Sequence, residues 1–258
     1  MGKVAVFDSG FGSLSIINEL QKITKSEIIY FADHRSFPYG KKSTATLKKI
    51  IRKTILTLQN EFSPDLIVVG SNTPSLLLQN YLKKQSKIVT VLPPLHDAAK
   101  ITKSSKISIL ATKSVVESHI LKNYIKKNIS RKITVIPINI SPLVDLVESG
   151  QFISNKQFCF KKINSILYKI FSYNNIDVVT LSSTHLHFLL PMFNKLFPQI
   201  TFLDPAAQVA KTVTRILRKN RLKQNKIRIF TSGKTDQFQK KLSKIGIKNK
   251  VCYLRLTQ

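Results

Sequence analysis

Short runs of apolar, often β-branched residues alternate along the chain with longer stretches whose apolar positions recur at helical spacing. The runs Lys3 to Phe7, Ile28 to Phe31, Leu66 to Val69, Ile88 to Val91, Lys106 to Ala111, Ile133 to Pro137, Val178 to Leu181 and Lys226 to Thr231 read as strands. Most are continuously apolar, as parallel strands covered on both faces must be. Helical patterns lie between them, among them Ser43 to Phe62, Ser75 to Lys84, Lys113 to Asn128, Gln157 to Tyr173 and Ala206 to Asn220. This alternation predicts an α/β fold. No long linker or low-complexity tract interrupts it, so a domain boundary is expected in a short turn such as Leu92-Pro93-Pro94.

Two segments repeat the same pattern. DLIVVGSNTPSLLL from Asp65 and DVVTLSSTHLHFLL from Asp177 align without a gap: an Asp, an apolar strand, a Ser at position 71 or 183, further polar residues, then an apolar run that predicts a helix. A weaker echo links KVAVFDSG from Lys3 with KISILATKS from Lys106. Paired echoes of this kind imply an internal duplication. The expected architecture is two similar doubly wound parallel-sheet domains related by pseudo-symmetry, one from residues 1–93 plus 207–258 and one from residues 94–206. Ligands of open parallel sheets bind beyond the carboxyl ends of the strands, so the site is expected in a cleft between the halves, with Ser71 and Ser183 facing each other across one ligand.

Matched groups on opposite sides of a small molecule are what is needed to take a proton from one face of a carbon and return it to the other, which is racemisation. Helix N-termini after Ser71 and Ser183 would offer backbone N–H groups to carboxylates, with Asn72, Thr73 and Thr184 beside them. A small anionic substrate follows.

Composition changes this picture in one respect. The 258 residues, 43% of them hydrophobic, suffice for a sizeable core, and no apolar stretch is long enough to span a membrane. Met1 to Val6 reads as part of a first buried strand rather than a leader, and a cytoplasmic protein is expected. Cys159 and Cys252 stand far apart in no metal or redox spacing and read as buried small side chains. The charge is unusual: 42 Lys and Arg against 13 Asp and Glu, a formal +29. The basic residues are dispersed, and the densest stretch, Lys211 to Arg228, reads as an amphipathic helix with its charge in solvent. Salt-sensitive, non-specific polyanion binding is therefore expected, rather than specific nucleic-acid recognition.

The motifs VFDSGFGSLSI from Val6, YFADHRSFPYG from Tyr30, SNT at Ser71, PLVDLVESG from Pro142 and STH at Ser183 together resemble the cofactor-independent glutamate racemases of the aspartate/glutamate racemase superfamily. The resemblance runs in order through most of the chain. It implies that Asp8, Ser9, Pro38, Tyr39, Gly40, Asn72, Thr73, Thr112, Thr184 and His185 line the substrate site. It also implies that Asp8, Glu148 and His185 assist proton transfer, that no cofactor or metal takes part, and that the protein forms a homodimer.

The departures bear on chemistry. The family's two catalytic residues are cysteines, and Ser71 and Ser183 occupy both positions. A thiol ionises near pH 8.5 and is readily tuned lower, whereas a hydroxyl ionises far higher, and each unit of mismatch adds roughly 1.4 kcal/mol to reaching the reactive anion. The tail after His185 departs as well, reading Leu186-His187-Phe188, and Pro74 follows Asn72-Thr73 where alanine is usual. Changes spread over several positions suit natural divergence rather than a laboratory exchange of two cysteines.

Single residues have blander readings. Asp8-Ser9-Gly10 could be a turn and cap, Tyr39 a packing side chain, Glu148 a surface acid near a helix end, and His187 a partly buried polar group. His185 and His187 form an H-x-H without a spaced third metal ligand, and His34, His96 and His119 read as structural or surface residues. Gly10 and Gly12 lack the third glycine of a dinucleotide fingerprint. Three functions remain: a racemase for an acidic amino acid or dicarboxylate, a ligand-binding relative without chemistry, and a basic polyanion-binding protein.

Overall fold

The structure, a computed structural model, describes residues 2–217 and 224–256. The chain divides into two compact units, one from residues 1–91 and 206–258 and a second from Leu92–Pro205. Each is a parallel sheet with helices packed on it.

The first unit holds strands β1 (Lys3–Asp8), β2 (Glu27–Ala32), β3 (Leu66–Val69) and β4 (Ile88–Thr90). The second holds β5 (Lys106–Ala111), β6 (Thr134–Asn139), β7 (Val178–Leu181) and β8 (Thr201–Leu203). The chain then returns to the first unit with β9 (Lys226–Thr231) and β10 (Val251–Tyr253). The strand orders are β10-β9-β2-β1-β3-β4 and β6-β5-β7-β8, with every neighbouring pair parallel. Setting β1 to β4 against β5 to β8 gives the same order in both sheets, which is the duplication read from the two sequence echoes. The additional strands β9 and β10 extend only the first sheet, on its β2 side.

The central strands β1, β3, β5 and β7 are buried almost end to end, which explains why they carry Val, Ile, Leu and Phe at consecutive positions. Successive side chains of β2 point to opposite faces. Tyr30 meets Phe238 of the helix Thr235–Lys244, whereas Phe31 is in register with Phe230, against which Phe62 of the helix Thr44–Phe62 packs at 4.8 Å between ring centroids. Helices therefore cover both faces of the first sheet. In the second unit Phe171 of the helix Lys156–Asn174 packs edge-on to Phe197, and Phe193 stacks on Phe202 of β8.

The repeated aspartates do the same structural work in each unit. Asp65 accepts the N–H of Lys3 at 2.8 Å and so ties the start of β3 to the start of β1. Asp177 accepts from the Thr102 hydroxyl at 2.7 Å, the backbone N–H groups of Lys103 and Ser104 at 2.6 and 2.9 Å, and the Ser104 hydroxyl at 2.8 Å, fixing the chain that enters β5. Burial by itself would raise the Asp177 carboxyl, but these four donors outweigh it and hold the group below the usual carboxylate range.

Several sequence expectations change. The pattern over Lys113 to Asn128 forms two helices, Lys113–Val116 and His119–Asn128, because Ser118 turns outward as an N-cap and accepts from Leu121 N at 3.1 Å. The basic stretch Lys211 to Arg228 is not one helix: the helix Ala206–Ile216 ends first and Lys226 opens β9, where Arg228 lies over the rings of Phe62 and Phe230. Residues 218–223, with the proposed end of that helix at Asn220, lie outside the described residues. Cys159 is buried as expected, but Cys252 is exposed, since β10 is the sheet edge. The edge strands β8 and β10 were not legible because each is three residues long and partly exposed, whereas the equally short β4 sits in the apolar run Ile88 to Val91. Among the described residues no helix is long and apolar enough to cross a membrane.

Candidate active site

Loops leaving the carboxyl ends of the strands gather the predicted residues into one set per unit. In the first unit Asp8 closes β1 and is fully buried; its Oδ1 accepts the N–H of Ser9 at 2.6 Å. Gly70 after β3 lies so close to the loop beyond β1 that a Cβ there would stand 2.4 Å from Ser13 Cβ, so only glycine lets the β3 loop pass. Ser71 follows, buried, then the six-residue helix Asn72–Leu77. Asn72 donates through Nδ2 to the Val91 carbonyl at 3.4 Å, and its Oδ1 is buried without a hydrogen-bond partner among the described residues. Ser75 anchors the helix by donating to Val69 O and accepting Val91 N, both at 3.1 Å. The helix lies against the short turn Tyr39–Lys41, which follows Pro38 and contains Gly40.

Tyr39 is buried and its hydroxyl donates to Asp33 Oδ2 at 3.3 Å. Burial, followed by the negative charges of Asp33 and Asp8, pushes the phenol well above its ordinary value, so it stays protonated.

In the second unit Thr112 follows β5, and Ser183, Thr184 and His185 follow β7, the last three buried. The helix Ser141–Glu148 packs on the segment Thr184–Leu189 and delivers Glu148 from its last turn. His185 Nε2 and Glu148 Oε1 are 2.7 Å apart with both side chains more than nine-tenths buried. Glu148 is thus no surface acid. The segment after Ser183 corrects the expectation of matched helix N-termini: Thr184–Leu189 is a 3₁₀ turn, and the α-helix starts only at Leu190, with Pro191, which lacks an N–H, in its first turn.

Two features escaped the sequence reading. His187 Nδ1 bonds Asp204 Oδ2 at 2.6 Å, an interaction between residues whose neighbourhood depends on β8. Asp33 and Ser232 form a fully buried pair, with Ser232 Oγ donating to Asp33 Oδ1 at 2.7 Å. Asp33 belongs to the YFADHRSFPYG motif, a signal in plain view, whereas nothing local marked Ser232.

No protein-family model matches the chain. Glutamate racemase from Bartonella quintana (strain Toulouse) is 31% identical to it over 255 residues, spanning 93% of each protein. The chain belongs to the glutamate racemase family. As a member of this family it is a racemase-type isomerase. Two glutamate racemase structures share its fold at 22% identity: isoform RacE1 from Bacillus anthracis, with a TM-score of 0.86 over 99% of this chain and 98% of that one, and the Escherichia coli enzyme in complex with L-glutamate and the activator UDP-MurNAc-ala, with a TM-score of 0.85 over 100% and 99%. The two parallel sheets derived above from the sequence duplication are thus the glutamate racemase fold.

Proposed function

We propose that this racemase interconverts the enantiomers of glutamate, or of a closely related acidic amino acid, by two-sided transfer of the α-proton. Ser71 and Ser183 hold the two proton-transfer positions. The observation that carries the reading is their equivalence: each directly follows the loop from an equivalent strand, β3 or β7, and each is buried. One hydroxyl group's conjugate base removes the α-proton, and the opposite hydroxyl supplies a proton to the carbanion's other face, so protons balance and no electrons leave the substrate. Asp8 assists at Ser71, and His185, held by Glu148, assists at Ser183. Ser9, Pro38, Tyr39, Gly40, Asn72, Thr73, Thr112 and Thr184 line the substrate site, with the buried Asn72 Oδ1 as an acceptor for the substrate ammonium. The substrate class is supported by the L-glutamate bound to the Escherichia coli enzyme.

A serine hydroxyl at these positions makes the chemical step slower than a thiol would, because the reactive anion is costlier to form. The reading also takes the protein to be a cytoplasmic homodimer, with a diffuse attraction to polyanions that follows from its +29 charge.

The test is to incubate the purified protein with each enantiomer of glutamate and aspartate in heavy water and follow deuterium at the α-carbon. Incorporation by the natural chain supports the proposal. Incorporation only after Ser71→Cys with Ser183→Cys would make the natural chain a binding relative whose site is intact but whose bases are gone. No incorporation in either form, together with no ligand-induced thermal shift, overturns both.

A further inference from the structure

Asp33 follows β2 and is fully buried, with both carboxylate oxygens engaged. Oδ1 accepts from Ser232 at 2.7 Å and Oδ2 accepts from the Tyr39 hydroxyl at 3.3 Å. The Asp33 N–H donates to the Asp8 carbonyl at 2.7 Å, so the same residue is tied to the end of β1. Ser232 also accepts the N–H of Arg35 at 3.1 Å, and its neighbour Thr231 meets His34 Nδ1 at 2.8 Å. The end of β9 therefore grips the whole segment from Asp33 to Arg35. A buried carboxylate needs such donors to remain in place, and a carboxylate so held directs whichever hydroxyl donates to it. β9 has no counterpart in the four-stranded sheet of the second unit, so this grip is peculiar to the first.

We infer that Asp33, oriented by Ser232, is a positioning residue that fixes the Tyr39 hydroxyl and the turn carrying it for substrate binding. This rests on the reading that Tyr39 lines the substrate site. Asp33 touches no reacting atom; it acts through Tyr39. A buried phenol that stays protonated must donate its hydrogen somewhere, and Asp33 supplies the acceptor that sets the ring's direction.

A double-mutant cycle tests this, using L-glutamate as the probe and calorimetric affinity as the readout. Asp33→Asn is expected to weaken binding about tenfold, the loss of one hydrogen bond to a charged group. In the Tyr39→Phe background the same change is expected to have no further effect. Ser232→Ala, which keeps the carboxylate, is expected to weaken binding less and to be silent in the same background. Equal losses with and without the Tyr39 hydroxyl would overturn the inference and leave Asp33 a general structural residue. Should the natural chain fail to bind L-glutamate, the substrate reading falls, and the alkaline absorbance titration of Tyr39 decides this inference separately. With Tyr39→Phe subtracted, Asp33→Asn is expected to move the Tyr39 ionisation to lower pH; an unmoved titration would overturn the positioning role.

Discussion

His185 Nε2 sits 2.7 Å from Glu148 Oε1, and the two residues come from segments 37 positions apart in the chain. Removing the carboxylate with Glu148→Ala would deprive a buried imidazole of this partner and is expected to lower the unfolding free energy by about 2 kcal/mol. Glu148→Gln keeps an acceptor at the same place and is expected to lose less. Urea unfolding followed by circular dichroism measures both, and equal losses for the two variants would show that the hydrogen bond is not what matters.

Asp177 gives a pH dependence with a definite sign. Its carboxyl is held below the usual range in the folded chain, so its contribution is present above the unfolded value of about 3.9 and is lost as the pH falls through the folded value. Asp177→Asn is therefore expected to flatten the acid side of the stability profile, while Asp177→Ala costs about 2 kcal/mol at neutral pH through its lost hydrogen bonds. Unfolding midpoints between pH 2 and 7 would check this; a profile with the same acid slope in Asp177→Asn would refute it.

Gly70→Ala places a Cβ 2.4 Å from Ser13 Cβ, with backbone Phe7 O only 3.0 Å away. Since neither neighbour is the end of a flexible side chain, the loops must part, at an expected cost of about 1–3 kcal/mol. Gly150→Ala, in an open position at φ +80°, is expected to lose less, through backbone strain alone. Thermal midpoints of the two variants rank them.

The +29 charge predicts retention on heparin that weakens steeply as salt rises. Because the attraction is diffuse, charge-neutralising changes at Lys122, Lys126 or Lys127 of the exposed face of one helix are expected to reduce retention in small, similar steps. A single substitution that abolished retention would show a specific site instead.

Much of this is legible in the order of residues. All eight strands read from the apolar runs are present; the signal is clearest for β1, β2, β3, β5 and β7, which are buried nearly end to end and so are apolar at almost every position, whereas β4, β6 and β9 are partly exposed. The gapless echo between Asp65 and Asp177 fixed the equivalence of β3 and β7, and with it the placement of Ser71 and Ser183 at like positions. What failed to show was brief or distant. β8 and β10 are three residues each and partly exposed, so they lack the continuous apolar run that marks the equally short β4, and the break at Ser118 turned on one side chain's choice to cap.

By itself, then, the order of residues determined eight of the ten described strands, the repeated plan and the chemical groups at its loop ends, since these depend on burial patterns and spacing within a single stretch. Tertiary structure alone decided which of those groups have partners: that Glu148 turns inward to His185, that Asp204 holds His187, and that Ser232, arriving from the chain's last part, orients Asp33. Such pairings depend on the order in which strands lie side by side. A hydrogen bond reaches about 3 Å, whereas its two ends can be separated by any length of chain.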